Sequence, residues 1–301
     1  MTIRVALCQY DTVLGDKPEN VRRSLEWLDR AGTTEPDVIV LPELITTGYA
    51  AGEAVLELAE DVPGPVTELW AERARKLGCY VIAGLARRDP RMSSVVYNSA
   101  VLIDREGNLA GVYSKAALPL YLHTWKDQRG EPLMIEEPEI FRRGDELPVF
   151  KTDFGTVGIQ ICQDSVYPEF TRIQAFAGAS VIFQILNGPS AVAKEAEDLT
   201  PSISRVHAYD NGVFIVLANK CGSETYHYKG DTMTVSFRGE SHVADPYGRL
   251  LTRAKVEEPD LLVVEFDPAL ARKAQWDSKF IRDWRPDLMA PLARRATSLG
   301  A

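Results

Sequence analysis

Cysteine is sparse in this chain of 301 residues: Cys8, Cys79, Cys162 and Cys221 lie far apart, with no CxxC pair. That spacing argues against a disulfide framework and fits reduced thiols in a cytoplasmic protein. Histidine is equally thin. His123, His207, His227 and His242 are scattered without HExxH or other ligand spacing, so no metal is expected. GxSxG, GxGxxG and GxxxxGK[ST] patterns are absent, which removes the usual support for serine-hydrolase, dinucleotide and P-loop readings. Nothing calls for a cofactor. Long apolar runs are missing too: residues 213–218 fall far short of a membrane span, so no membrane partner is expected. The opening MTIRVALCQYD reads as a strand from its third residue, not as a leader. Basic residues are in deficit, 34 against 43 acids for a net charge of −9, which makes nucleic acid a poor partner.

The chain does have ample apolar content, 45%, for a substantial core. Short apolar runs alternate with amphipathic segments, the pattern of an α/β protein. Strands are expected over residues 3–9, 38–41 and 80–85. A helix over 20–30 groups Val21, Leu25 and Leu28 on one face, and another from Pro65 buries Val66, Leu69, Trp70 and Leu77 before Gly78. Residues 98–103 and 109–113 flank a turn and read as a hairpin. The second half repeats the plan, with strands at 157–162, 181–186, 213–218, 232–237 and 261–266 and helices at 168–177 and 201–209. Two βαβ-type halves imply a four-layer α-β-β-α sandwich, two sheets face to face with helices outside. No linker divides them, so one domain over residues 1–285 with a tail over 286–301 is expected. Residues 115–150 carry little periodicity, and long irregular segments in compact domains are often functional.

Cys162 follows the alternating strand VGIQI and precedes QDSVYPE, which leads into a helix. Strand-to-helix corners are where α/β folds present reactive groups, and backbone N–H groups there can lower a thiol's pKa. Most free cysteines are small buried hydrophobes, and Cys8, Cys79 and Cys221 read that way. Glu43 ends the strand VIVL after Pro42. A carboxylate there is costly unless paired, hydrogen-bonded or protonated. Lys115 follows the strand over 109–113.

Glu43 in LPELITTGY, Lys115 in YSKAALP and Cys162 in GIQICQDSVYPE, in that order, resemble the nitrilase, or carbon–nitrogen hydrolase, superfamily and its Glu–Lys–Cys triad. The resemblance spans about residues 3 to 285 and includes NGVFIVLANKCG and FRGESHVADPYGRLL. Glu137, Phe141 and Gly144 match the pattern ExxxFxxG, which implies a second active-site glutamate at Glu137 beyond an insertion over 116–136. The triad implies a thiolate from Cys162, with Glu43 as base and then acid. Lys115 would stabilise the oxyanion with a backbone N–H near Gln163. Gln163-Asp164 after the cysteine departs from the Trp-Glu of nitrilases proper. Ser165 and Val166 replace the arginines of N-carbamoyl amino acid hydrolases. The Cys-x-Asp-x-x-aromatic-Pro-Glu form is closer to the amidases.

The expectation is therefore a thiol amidohydrolase that converts a small carboxamide to carboxylate and ammonia. Alternatives are a nitrilase, an N-carbamoyl-amine hydrolase, an acyl transferase using the same triad, or a Cys–His hydrolase pairing Cys162 with His207. A binding protein that keeps the fold without chemistry would leave Cys162 unreactive. Tyr49, Tyr121, Gln163 and Asn187 are the substrate-binding candidates, and Trp125 is read as loop packing. Trp276, Phe280 and Trp284 recur at helical spacing and could lie at a subunit contact. The resemblance implies a homodimer or higher homo-oligomer.

Overall fold

The computed structural model describes residues 1–126, 132–190, 198–228, 230–278 and 281–290. The first half runs β1 (Ile3–Gln9), α1 (Lys17–Gly32), β2 (Val38–Val40), α2 (Val55–Leu58), α3 (Pro65–Leu77), β3 (Tyr80–Arg88), β4 (Val96–Ile103) and β5 (Leu109–Ser114). A hairpin of β6 (Leu120–Lys126) and β7 (Pro132–Glu136), then one turn of helix, α4 (Glu137–Ile140), lead onward. The second half begins β8 (Val149–Thr152), β9 (Gly155–Ile161), α5 (Pro168–Phe176), β10 (Val181–Leu186), α6 (Leu199–Asn211) and β11 (Phe214–Asn219). It continues β12 (Cys221–Tyr228), β13 (Asp231–Arg238), β14 (His242–Ala244), β15 (Leu250–Arg253), β16 (Asp260–Phe266) and α7 (Ala269–Ser278).

Two six-stranded sheets result, ordered β16-β1-β2-β3-β4-β5 and β15-β14-β11-β10-β9-β8. Each has a parallel centre, β1-β2-β3 in one and β9-β10-β11 in the other, and antiparallel flanks. The two-residue period of a strand sorts the side chains. Val5 and Leu7 of β1 share a buried cluster with Ile159, Ile161, Phe183 and Val216, so that cluster lies between the sheets. Ala6 and Cys8 turn the other way, against Leu28, Ala31, Trp70 and Ala74 of α1 and α3. The four layers are helices, sheet, sheet, helices. Fully burying one such aliphatic side chain contributes about 1.5–3 kcal/mol, and both interfaces are built from many of them.

Several local expectations need adjustment. The buried stripe of α3 is Val66, Thr67, Trp70 and Ala74, which leaves Leu69 on the flank and 38% exposed. In α1 the fully buried positions include two polar residues, Asn20 and Ser24, while Val21 and Leu25 are half-buried. Their polar atoms are satisfied: Asn20 bonds the backbone at Val13 and Thr46, and Ser24 accepts the Trp70 indole N–H at 2.9 Å. The segment over 115–150 is not irregular throughout, for it contains β6, β7 and α4. A register shift between Tyr121 and Trp125 breaks the alternation that would have announced the hairpin. β16 does not extend the second sheet but returns to pair with β1, Ile3 opposite Phe266. Of the aromatic stripe near the C-terminus, Phe280 lies outside the described residues, Trp276 on α7 is 80% exposed, and Trp284 meets Phe176 with ring centroids 5.0 Å apart. Among the described residues no helix is long and apolar enough to cross a membrane.

Candidate active site

Glu43 leaves β2 through a turn whose next residue, Leu44, has a left-handed φ of 45°. The turn lies directly on β3: the Gly84 N–H donates to Pro42 O at 3.1 Å and Ile45 N–H donates to Gly84 O at 3.1 Å. A Cβ on Gly84 would lie 2.6 Å from the Glu43 Cα, so only glycine allows this approach. The Glu43 carboxylate is fully buried and well supplied with donors. Asn98 Nδ2 donates to Oε1 at 2.7 Å, Lys115 Nζ donates to the same oxygen at 2.8 Å, and the Asn187 N–H donates to Oε2 at 2.7 Å.

Lys115 follows β5, where its N–H donates to Asn98 O at 2.8 Å. Its ammonium has no solvent exposure and gives a second hydrogen to Glu137 Oε1 at 2.7 Å. Burial opposes the charge, but the carboxylates of Glu137 and Glu43 outweigh it and hold Lys115 protonated far beyond neutrality. An ammonium carries three hydrogens, and two are committed to carboxylates. Glu137 opens α4, and Tyr49 Oη donates to its Oε1 at 2.7 Å. Burial pushes Glu137 up to about 7 against the opposing pull of Lys115. Its Oε2 has no hydrogen-bond partner among the described residues.

Cys162 begins the 3-10 turn Cys162–Val166, one residue after β9 ends, and is not the last residue of the strand. Its φ of 46° is left-handed, a conformation that costs a non-glycine residue about 1–3 kcal/mol and marks sharp corners that project a side chain. Burial, then the negative charge of Glu43, pushes the thiol pKa up, while Lys115 and the Asn187 N–H pull it down. The expected lowering at a strand-to-helix corner is therefore reversed, because desolvation dominates. Such a thiol stays protonated until a base takes its hydrogen. The charges acting on Cys162 are those of Glu43, Lys115 and Glu137; those acting on His207 are Asp210, Glu169 and Arg172.

Of the substrate-binding candidates, Tyr49 is drawn into the site through Glu137, and Asn187 through its backbone on Glu43. Both Asn187 side-chain polar atoms are buried without a partner among the described residues. Gln163 lies in the same turn as Cys162. Tyr121 lies on β6, and its side chain, like that of Trp125, is outside the described residues.

Three supporting residues escaped the sequence reading. Asn98, buried in β4, bonds Glu43 through its side chain and Lys115 through its carbonyl. Glu224, buried in β12, accepts the N–H groups of Tyr49 at 3.0 Å and Ala50 at 2.8 Å and pairs with the buried Lys220. Asp164 bonds groups beside both Cys162 and Lys115. The available signal, at Asn98 alone, was a polar residue inside an apolar strand. It marks burial but names no partner.

A carbon–nitrogen hydrolase family profile matches residues 4–275, and the chain belongs to that family. It is a hydrolase acting on carbon–nitrogen bonds other than peptide bonds. Relatives include the nitrilase of Pyrococcus abyssi, 31% identical over 90% of this chain and 92% of that protein. The N-carbamoylputrescine amidase of Solanum tuberosum is 31% identical over 95% of this chain and 93% of that protein. The crystal structure of a carbon–nitrogen hydrolase from Helicobacter pylori G27 superposes with a TM-score of 0.83 at 24% identity, covering 97% of this chain and 99% of that one. That likeness extends the α-β-β-α sandwich of the nitrilase superfamily to this chain.

Proposed function

We propose that the protein is a thiol amidohydrolase that hydrolyses the C–N bond of a small carboxamide to carboxylate and ammonia through a cysteine thioester. The observation that carries this reading is the Lys115 ammonium bridging Glu43 and Glu137 at 2.8 and 2.7 Å, with all three charges acting on Cys162. Glu43 takes the Cys162 proton as the sulfur attacks the amide carbon. The oxygen gains negative charge and is met by the third Lys115 hydrogen and the N–H following the nucleophile, and each such donor is worth about 10²–10³-fold. Glu43 returns its proton to the nitrogen, the C–N bond breaks and ammonia leaves. Water then attacks the thioester, Glu43 accepts its proton and passes it to the departing thiolate, and the carboxylic acid is released. General acid–base catalysis of this kind supplies about 10²–10⁴-fold. Glu137 holds Lys115, and Tyr49 fixes Glu137. The buried carboxamide of Asn187, with Gln163, is the proposed substrate contact.

Relatives named nitrilase and N-carbamoylputrescine amidase favour a second reading, in which the substrate is a nitrile or an N-carbamoyl amine. Ammonia release across short amides, N-carbamoyl amines and nitriles separates the readings. Carboxamides are expected to be fastest, and faster turnover of nitriles or carbamoyl amines replaces the carboxamide assignment. Preferential transfer to an added amine, with N-substituted amide exceeding free carboxylate among the products, would mark an acyl transferase. A homodimer or larger homo-oligomer is proposed from the exposed Ile173 and Phe176 of α5 and Val206 and Tyr209 of α6, on helices that touch each other. Sedimentation velocity checks it, with a monomer as the refuting outcome.

A further inference from the structure

Asp164 lies two residues after the nucleophile and is fully buried. Among the described residues its carboxylate makes three bonds, none to a charged group. Oδ2 accepts the Tyr113 hydroxyl at 2.7 Å and the Ile161 N–H at 2.9 Å, and Oδ1 accepts the Ala117 N–H at 2.8 Å. Ile161 immediately precedes Cys162, while Tyr113 and Ala117 stand two residues to either side of Lys115. The Tyr113 oxygen also accepts the Ala116 N–H at 3.2 Å, which tightens the same loop. One carboxylate thus spans the two halves of the molecule, joining the turn of the sulfur to the loop of the ammonium.

We infer that Asp164 is a positioning residue that holds the Cys162 turn and the Lys115 loop at a fixed separation, so that turnover depends on it although it touches no substrate. This rests on the thiol-amidase reading. Alternative means of fixing that separation are few. Lys115 reaches its site from β5 of the first sheet and Cys162 from β9 of the second, and the sheets are joined there by side-chain packing rather than by a hydrogen-bonded ladder. Burial pushes Asp164 up to about 6 despite its three donors, so the carboxylate is held ionised at neutral pH at some expense of solvation. A lysine displaced by about 1 Å loses on the order of 10²-fold in rate, so a small relaxation suffices to matter.

The test is Asp164→Asn, read on folded protein by alkylation of Cys162 with 2-chloroacetamide, an amide that carries its own leaving group. In either orientation of the new carboxamide, its NH2 group faces a backbone N–H, that of Ala117 or that of Ile161, where an acceptor is required. The alkylation rate at Cys162, followed by intact mass, is expected to fall about 10²-fold, and the midpoint of its pH profile to rise as Lys115 moves away from the sulfur. Tyr113→Phe keeps both backbone bonds to Asp164, removes the acceptor of the Ala116 N–H as well as the hydroxyl donor, and is expected to slow alkylation about three- to tenfold with a modest fall in Tm. A folded Asp164→Asn protein that alkylates within about twofold of the parent, with an unmoved midpoint, overturns the proposal. Should that variant fail to fold, Tyr113→Phe decides alone, a slower rate supporting the proposal and an unchanged one overturning it. Failure of the amidase reading looks different: the parent then releases no more ammonia from carboxamides than Cys162→Ala, or turns nitriles or carbamoyl amines over faster, whereas alkylation rates still report on Asp164.

Discussion

The two strand-to-helix corners that meet at the site solve the same geometric problem differently. After β2, the left-handed residue is Leu44, and the functional carboxylate of Glu43 precedes it. After β9, the left-handed residue is Cys162 itself. The first corner is made possible by something missing, the side chain of Gly84, which lets the turn rest on β3. The second is held by something present, the Asp164 carboxylate. A base that must accept and return a proton can sit in a relaxed conformation and be fixed by its donors. A nucleophile that must project its sulfur stands at the point of greatest curvature and bears the backbone cost there.

The largest effect expected from breaking this contrast is at Cys162. Cys162→Ala and Cys162→Gly should both abolish ammonia release, leaving only background, while both fold. The glycine variant should be the more stable by about 1 kcal/mol, because glycine tolerates the left-handed φ; comparative Tm measurements check it. Equal stabilities would mean that the second corner bears no strain. Next is Gly84→Ala, where the added methyl meets backbone and not a flexible side chain. It is expected to cost about 1–3 kcal/mol in urea unfolding and to lower kcat through the displaced Glu43. A loss of stability with kcat intact would show that the first corner tolerates movement.

The smallest effect concerns Glu137, which touches both corners through Lys115. Its folded pKa of about 7 lies above the ordinary 4.5, so its contribution to stability is fully present below 4.5 and is lost as pH rises through about 7. Activity should run the opposite way, rising over that window as the carboxylate becomes able to hold Lys115. The stability slope is at most about 1.4 kcal/mol per pH unit, and Glu137→Gln should flatten it. Unfolding measured from pH 4.5 to 7.5 beside ammonia release tests both signs.

Much of this architecture was legible in the chain because its cause is local. A short apolar run marks β1 and alternation marks β9, Pro65 and Gly78 delimit α3, and strand ends locate Glu43, Lys115 and Cys162 as candidates. What remained hidden is set by distant partners. Asn20 and Ser24 look like surface residues until Thr46 and Trp70 reach them. Glu224 looks like a strand charge until the backbone of Tyr49 and Ala50 turns toward it. The reversal of the Cys162 pKa likewise depends on how completely water is removed, which no spacing along the chain records.

The return of β16 to β1 has a consequence for biogenesis. Ile3 pairs with Phe266 and Gln9 with Asp260, so one edge of β1 stays open until a strand far along the chain has been made. Until then the nascent first sheet offers an unpaired, strongly apolar margin, the kind of edge that chaperones shield and that aggregation exploits. Closure of that sheet is a long-range event, the kind of pairing that slows folding.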